Sequence, residues 1–111
     1  MLHKLLLMAS LLALTASPVL GSNVYGNLTL EDGKPGQAIE VEIKCPEKTY
    51  KGRTNSRGSY NIYVEHQGRC SLRLTFNGQP LKAPVLSLDD PVRHNFEIVK
   101  TASGKYDLRR R

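Results

Sequence analysis

The sequence predicts an all-β domain, an antiparallel β-sandwich of about seven short strands with one disulfide. Apolar residues recur at every second position through most of the chain beyond residue 21, which is the side-chain period of a half-buried strand. Gly, Pro, Asn and Asp interrupt this alternation roughly every ten residues, the turn spacing of sandwich domains. The helical period of about 3.6 residues is absent from the same region.

Residues 1–21 differ from the rest and predict a secretory signal peptide. A basic start at His3 and Lys4 precedes an apolar run over 5–14, and cleavage is expected after the small residue Gly21. The run is shorter than the roughly 20 apolar residues that a membrane span needs. We therefore expect a secreted or periplasmic protein without a transmembrane segment.

Four strands are predicted in the first half of the domain. Each has apolar residues on one face and polar residues on the other, and turn sequences such as EDGKPG separate them. These strands cover residues 24–30, 39–45, 49–53 and 60–64.

Three more strands are predicted in the second half. They are separated by the turns NGQP and DDP and cover residues 70–76, 85–88 and 92–98. Tyr106 and Leu108 alternate in the same way and either extend the last pairing or lie beyond it. We assign residues 22–100 to the sandwich domain and residues 101–111 to a basic C-terminal tail.

The two cysteines predict a disulfide. Cys45 is in phase with Ile43, and Cys70 is in phase with Leu72, so both side chains point towards the core. Export takes them to an oxidising compartment, where disulfides persist. We expect a bond between the core faces of a two-sheet domain; two separate buried thiols are the alternative.

Two segments carry a family resemblance, VYGNLTLEDGKPGQAIEVEIKC and KGRTNSRGSYNIYV. The first combines a strand, a Gly-Lys-Pro turn and a second strand, and the second places Thr54, Gly58 and Tyr60 before a strand. This pattern resembles the carboxypeptidase regulatory-like domains, which are β-sandwiches of the transthyretin-like (prealbumin-like) type. The resemblance implies a stand-alone secreted form of a domain that is mostly a non-catalytic accessory module. Residues 55–57 lack the acidic residue usual in that family.

Gly58 and Tyr60 are expected to serve the fold. Gly58 supplies a backbone conformation that other residues resist, so that a tight turn delivers the following strand onto the core face. Tyr60 is a candidate core anchor whose hydroxyl needs a partner near the edge of the sandwich.

No catalytic, metal or cofactor constellation is visible in the sequence. His66 and His94 are the only histidines after residue 21, and a zinc site needs three or four ligands. Ser87 and Asp89 complete the residue types of a triad with His94, but no nucleophile elbow surrounds the serine. The sequence therefore predicts that the protein is not an enzyme. It predicts a non-catalytic secreted or periplasmic module with a structural or protein/surface-binding role and no cofactor.

Two other functions stand as alternatives. One is a small transthyretin-like hydrolase that uses His94 with a basic neighbour such as Arg93. Transthyretin-like enzymes that hydrolyse a purine-pathway intermediate end in Tyr-Arg-Gly-Ser, whereas this chain ends in KYDLRRR, which argues against that activity. The other alternative is a glycan- or cell-surface-binding domain.

Exposed tyrosines and the basic C-terminus are the candidate binding groups. Tyr25 and Tyr63 face outwards by phase and would stack on a sugar or a partner. Arg109, Arg110 and Arg111 would contact an anionic surface, unless they form only a frayed, solvated tail. The expected partner is an unidentified protein or the cell envelope. Nucleic acid is not expected, since the protein is exported and no aromatic platform accompanies the basic run.

Overall fold

The computed structural model describes residues 21–111, so the predicted signal peptide lies outside the described residues apart from Gly21. The described part contains strands and turns and no helix that could span a bilayer. The strands are β1 (Ser22–Leu30), β2 (Glu40–Lys44), β3 (Thr49–Arg53), β4 (Ser59–Val64), β5 (Gly68–Phe76), β6 (Gln79–Ser87), β7 (Val92–Arg93), β8 (Phe96–Lys100) and β9 (Tyr106–Arg110).

The strands form two sheets that pack as a sandwich. The first sheet has the order β4-β1-β8-β9, with the short β7 paired to β1, and the second sheet has the order β3-β2-β5-β6. Neighbouring strands are antiparallel, except that β1 runs parallel to β7 and to β8. The predicted all-β sandwich is therefore confirmed.

The core lies between the two sheets. Its largest fully enclosed side chains are Phe96, Leu28, Ile43, Leu72 and Ile98. They alternate along their strands with side chains that face outwards, as the period of two requires. Burial of each such side chain contributes about 1.5–3 kcal/mol relative to exposure, so the alternation decides which face of each strand turns inwards.

The predicted strand over 92–98 is interrupted at His94 and Asn95. The backbone N of His94 donates to the carbonyl oxygen of Tyr25 (2.8 Å). The side-chain Oδ1 of Asn95 accepts from the backbone N of Asn27 (2.9 Å). A side chain thus takes the place of a backbone group in the ladder, and the segment divides into β7 and β8.

The segment assigned to a basic tail, residues 101–111, is largely part of the first sheet. β9 pairs with β8 from the pair Lys100 and Tyr106 to the pair Phe96 and Arg110. Leu108, in the middle of β9, is buried in the core. The expectation of a frayed tail is therefore corrected, because an apolar residue in phase with the core anchors the segment as an edge strand.

Cys45 and Cys70 form the predicted disulfide, with their Cα atoms 4.4 Å apart. Lys44 and Ser71 are partners in the ladder of β2 and β5, so the bond joins adjacent strands of the second sheet. The expectation of a bond between the two core faces is corrected accordingly, since both cysteines belong to one sheet. A disulfide is consistent with an extracellular location.

The turn before β4 is held by its own side chains. Oδ1 of Asn55 accepts hydrogen bonds from the backbone N of Arg57 (2.9 Å) and of Ser59 (3.0 Å). Gly58 has a φ of +77°, and a Cβ atom there would collide with the carbonyl oxygen of Leu28. Asn55 therefore supplies a side-chain acceptor in the segment that lacks an acidic residue, and only glycine fits at the tip of the turn.

Candidate functional site

His94 lies between β7 and β8 with its side chain turned into the sandwich. The residue is 5 % exposed. Its ring is stacked against Phe96, with ring centroids 6.3 Å apart and 14° between the ring planes. It sits where β6 of the second sheet approaches β9 of the first, because its ring nitrogens contact residues of both strands.

The partners of the two ring nitrogens define the tautomer of His94. Nδ1 lies 2.9 Å from Nη1 of Arg110. A guanidinium only donates hydrogen bonds, so Nδ1 is the acceptor and carries no proton. Nε2 therefore carries the proton and donates to the carbonyl oxygen of Leu86, at 3.2 Å. The backbone N of Leu86 lies at the same distance from Nε2 but does not donate to it in this tautomer.

Arg110 is held in place by three contacts. Besides its bond to His94, its Nη2 donates to the carbonyl oxygen of Pro84 (2.7 Å). Its Cζ lies 5.6 Å from the centroid of the Phe96 ring, within the range of a cation–π interaction. By its charge Arg110 was expected to belong to the basic tail. Its phase with Leu108, two residues earlier on β9, was the signal that its side chain lies over the core.

The environment of His94 keeps its imidazole neutral. Burial lowers the pKa of His94 from its ordinary value of 6.5, and the positive charge of Arg110 lowers this pKa further, against the opposing hydrogen bond to Leu86. A neutral imidazole with an unprotonated Nδ1 has the lone pair that a general base needs.

Tyr60 supports the site from β4. The residue is 3 % exposed, and its hydroxyl donates a hydrogen bond to the carbonyl oxygen of His94. Burial raises the pKa of Tyr60 well above its usual range, so the phenol stays a neutral donor. It fixes the backbone of His94, and through it the position of the ring.

The structure does not bring together the other residues considered with His94. Arg93 faces outwards, and its guanidinium lies 5.3 Å from the ring centroid of Tyr25. Ser87 is fully buried, and its Oγ has no hydrogen-bond partner within residues 21–111. Asp89 is exposed in the loop after β6. The basic partner of His94 is thus Arg110 instead of Arg93.

Of the predicted surface residues, Tyr25, Tyr63 and Arg109 lie on the outer face of the first sheet. Tyr25 is paired with Asn61, and Tyr63 with Asn23, across β1 and β4. Tyr63 is 53 % exposed. Arg109 lies opposite Glu97 in the ladder, and the backbone N of Arg111 donates to the carbonyl oxygen of Asn95 (2.9 Å).

His66 lies apart from His94, half-buried after β4. It lines a small cavity together with the disulfide residue Cys45, Glu47 and Glu65. Within residues 21–111 no group of three or more His, Cys, Asp or Glu side chains is placed to hold a metal ion.

A cleft of about 770 Å³, here the β2–β5 cleft, opens in the second sheet. The ladder of β2 and β5 ends at the pair Glu42 and Arg73, and beyond it each strand continues only with its other neighbour. The cleft is lined by residues 38–40, Glu42, residues 73–75 and residues 80–82. It does not include His94.

Solved structures with a similar fold include the following three proteins. The 5-hydroxyisourate hydrolase of Klebsiella pneumoniae superposes with a TM-score of 0.59 at 15 % identity, over 81 % of this chain and 98 % of that chain. An (S)-allantoin synthase superposes with a TM-score of 0.53 at 12 % identity, over 93 % of this chain and 48 % of that chain. A proposed carbohydrate-binding protein from Bacteroides uniformis superposes with a TM-score of 0.53 at 9 % identity, over 78 % of this chain and 49 % of that chain.

These similarities show a transthyretin-like fold, as the sequence resemblance implied. No protein-family model matches the chain, and no curated protein matches its sequence.

The comparisons correct the functional prediction. Two of the three similar structures are enzymes, so the prediction of a non-catalytic structural or surface-binding module that is not an enzyme was wrong. The alternative of a small transthyretin-like hydrolase is favoured instead. Identities of 12 % and 15 % show the fold alone, and the reaction itself is therefore proposed below.

Proposed function

We propose that the protein is a small hydrolase of the transthyretin-like type, with His94 as the general base and Arg110 as the group that binds the substrate oxygen. The observation that carries the proposal is the 2.9 Å contact between Nη1 of Arg110 and the unprotonated Nδ1 of His94. It places a neutral base beside an anion-binding group at the surface end of the sandwich. The transthyretin-like fold, which occurs in the two similar enzymes, supports this proposal.

Substrate binding begins at Arg110. Arg110 is exposed, whereas His94 is buried, so an incoming substrate meets the guanidinium of Arg110 first. A carbonyl or anionic oxygen accepts hydrogen bonds from the guanidinium fork. This draws Nη1 away from Nδ1 of His94 and leaves the lone pair of Nδ1 free.

His94 then activates a water molecule. Nδ1 takes a proton from the water as its oxygen attacks the carbonyl carbon of the substrate. Arg110 stabilises the negative charge that develops on the carbonyl oxygen. The proton passes from Nδ1 to the leaving nitrogen when the carbon–nitrogen bond breaks, and the bond from Nε2 to Leu86 keeps the ring oriented throughout.

The substrate class follows from the site and from the comparisons. Arg110 selects a compact molecule with a carbonyl or anionic oxygen, and 5-hydroxyisourate is the first compound to test because a similar structure is a hydrolase of it. The C-terminal KYDLRRR lacks Tyr-Arg-Gly-Ser, so other cyclic amides, such as hydantoin and dihydrouracil, belong in the same assay.

The proposal is tested by hydrolysis assays with matched variants. His94→Asn keeps an acceptor at the δ position for Arg110 but removes the base, and we expect activity to fall by about 10²–10⁴. Arg110→Gln should lose activity as well. Arg109→Gln removes the same charge from the outer face and should retain activity. If no cyclic amide is hydrolysed, or if His94→Asn keeps full activity, the protein is not this hydrolase.

We also propose that the protein is exported and that residues 1–21 are removed. The disulfide supports an oxidising location. Sequencing the N-terminus of the protein recovered outside the cytoplasm should begin at Ser22. We further propose that the chain is of the carboxypeptidase regulatory-like type, which the turn with Thr54, Gly58 and Tyr60 resembles.

A further inference from the structure

The outer face of the second sheet is strongly basic. Along β2, β3, β5 and β6 every second side chain points away from the core and is exposed or half-buried. Six of these side chains are cationic: Lys44, Lys51, Arg53, Arg69, Arg73 and Lys82. Only Glu40 and Glu42 oppose them, so this basic face carries a net charge of +4.

The outer face of the first sheet, by contrast, is electrically balanced. Its cations, Arg93 and Arg109, are matched by Glu97 and Asp107. Its other exposed side chains are mainly Asn, Ser, Thr and Tyr. The sequence carries +6 in total, and without Lys4, which lies outside the described residues, +5 remains (15 − 10). Of this excess, +4 is concentrated on one side of the sandwich.

Two cations of the basic face repel each other in the free protein, because Arg73 lies directly opposite Lys82. Glu40 and Glu42, by contrast, lie opposite cations and offset part of the charge of the face. Like charges directly opposite each other destabilise a sheet. Within the described residues the one ion pair within 4.0 Å lies elsewhere, in the turn after β1. A bound polyanion would remove this repulsion.

Residues of the basic face line the β2–β5 cleft, which adds two further kinds of group. Its walls include two cations and both carboxylates of that face, and its apolar lining comes from Ile39, Leu74 and Leu81. Cations bind anionic groups, whereas carboxylates accept hydrogen bonds from hydroxyls. An apolar surface contacts carbon–hydrogen groups. A sugar that carries an acidic group offers partners for all three.

We propose that the basic face binds an acidic polysaccharide, a linear carbohydrate polymer with carboxylate or sulfate groups, and that one sugar of the polymer occupies the β2–β5 cleft. A lipid surface fits less well. Proteins that lie on membranes insert apolar side chains, and Leu86, at the edge of the sheet, is the one large exposed apolar residue on this face.

The test compares charged and neutral polymers on the purified protein. Binding of dextran sulfate, polygalacturonate and uncharged dextran is measured by calorimetry at low and at physiological ionic strength. We expect both charged polymers to bind, dextran not to bind, and affinity to fall with added salt. Vesicles of phosphatidylcholine with phosphatidylglycerol serve as the lipid probe and should bind more weakly than the polymers.

Two matched double variants locate the site. Arg73→Gln with Lys82→Gln removes two charges from the basic face and should weaken binding about tenfold. Arg93→Gln with Arg109→Gln removes two charges from the other face and should change affinity less than about twofold. Melting curves establish that both variants are folded, and hydrolase activity should persist in both, which separates this proposal from the previous one.

Several results would overturn the proposal. They are equal losses in the two double variants, equal binding of dextran and dextran sulfate, tighter binding of the vesicles, or no polymer binding at low ionic strength.

Discussion

The guanidinium of Arg110 and the imidazole of His94 share a hydrogen bond of 2.9 Å between Nη1 and Nδ1. The bond joins the edge strand β9 to the segment that links β7 and β8. It places the proton of the neutral imidazole on Nε2, because the guanidinium has no atom that could accept a hydrogen bond from Nδ1. A contact between two basic side chains is therefore compatible with the fold only while His94 is neutral.

Acid should destabilise the protein through His94. Its pKa is lowered in the folded state from 6.5, so below pH 6.5 the unfolded chain binds more protons than the folded chain. The stability that His94 contributes is complete above pH 6.5 and is lost as the pH falls through the folded pKa. Urea denaturation at a series of pH values below 6.5 should show this fall in the free energy of unfolding of the unaltered protein. The variant His94→Asn should lack this decline, whereas His66→Asn should keep it; a decline unchanged in His94→Asn would assign it to another group.

Removal of the Tyr60 hydroxyl should cost more stability than its size suggests. Tyr60→Phe leaves the carbonyl oxygen of His94 without its donor, and such a loss costs about 1–3 kcal/mol. The comparison is Tyr63→Phe at an exposed position, where we expect a change within about 0.5 kcal/mol. Chemical denaturation of both variants measures the difference, and equal stabilities would mean that the Tyr60 bond contributes nothing.

Gly58 should tolerate alanine less well than Gly104 does. Both have positive φ, +77° and +85°, so alanine costs about 1–2 kcal/mol of backbone strain at either position. At Gly58 the new Cβ also meets the carbonyl oxygen of Leu28, whereas nothing lies within 4 Å at Gly104. Melting temperatures should therefore fall further for Gly58→Ala. A similar fall in melting temperature for Gly58→Ala and Gly104→Ala would mean that backbone strain alone accounts for both and that the contact with Leu28 adds nothing.

Loss of the disulfide should lower the free energy of unfolding by about 3 kcal/mol, the entropy of closing a loop of this size. The bond links Cys45 and Cys70, which are 25 positions apart. Replacing both by alanine and reducing the unaltered protein should give similar falls in melting temperature. Unchanged stability after reduction would contradict a structural role for the bond.

Much of the fold is visible in the sequence because the alternation of apolar residues directly reports which side of a strand is buried. One exception is β6, predicted only over 85–88 but observed from Gln79 to Ser87. Pro80 and Pro84 argue against a strand, yet β6 is an edge strand, where proline removes no needed hydrogen bond. Which strands occupy the edges depends on the pairing of distant segments, which local patterns do not encode.

The candidate site was harder to predict from the sequence than the fold. His94 was named as a candidate residue of a hydrolase, but Arg93 was chosen as its partner because it is adjacent in sequence. The actual partner, Arg110, reaches His94 only through the pairing of β8 with β9. Grouping residues by charge placed Arg110 in a tail, whereas grouping them by phase with Leu108 would have placed it over the core.

The position of the disulfide has a mechanical consequence for the second sheet. The hairpins β2–β3 and β5–β6 are joined by the three pairs of the β2–β5 ladder, and the Cys45–Cys70 bond lies just beyond one end of that ladder, while the cleft opens at the other. The covalent bond therefore holds the two hairpins together at the end of the ladder opposite the cleft. Separation of β2 from β5 is restrained there by a covalent bond and at the cleft end only by non-covalent contacts.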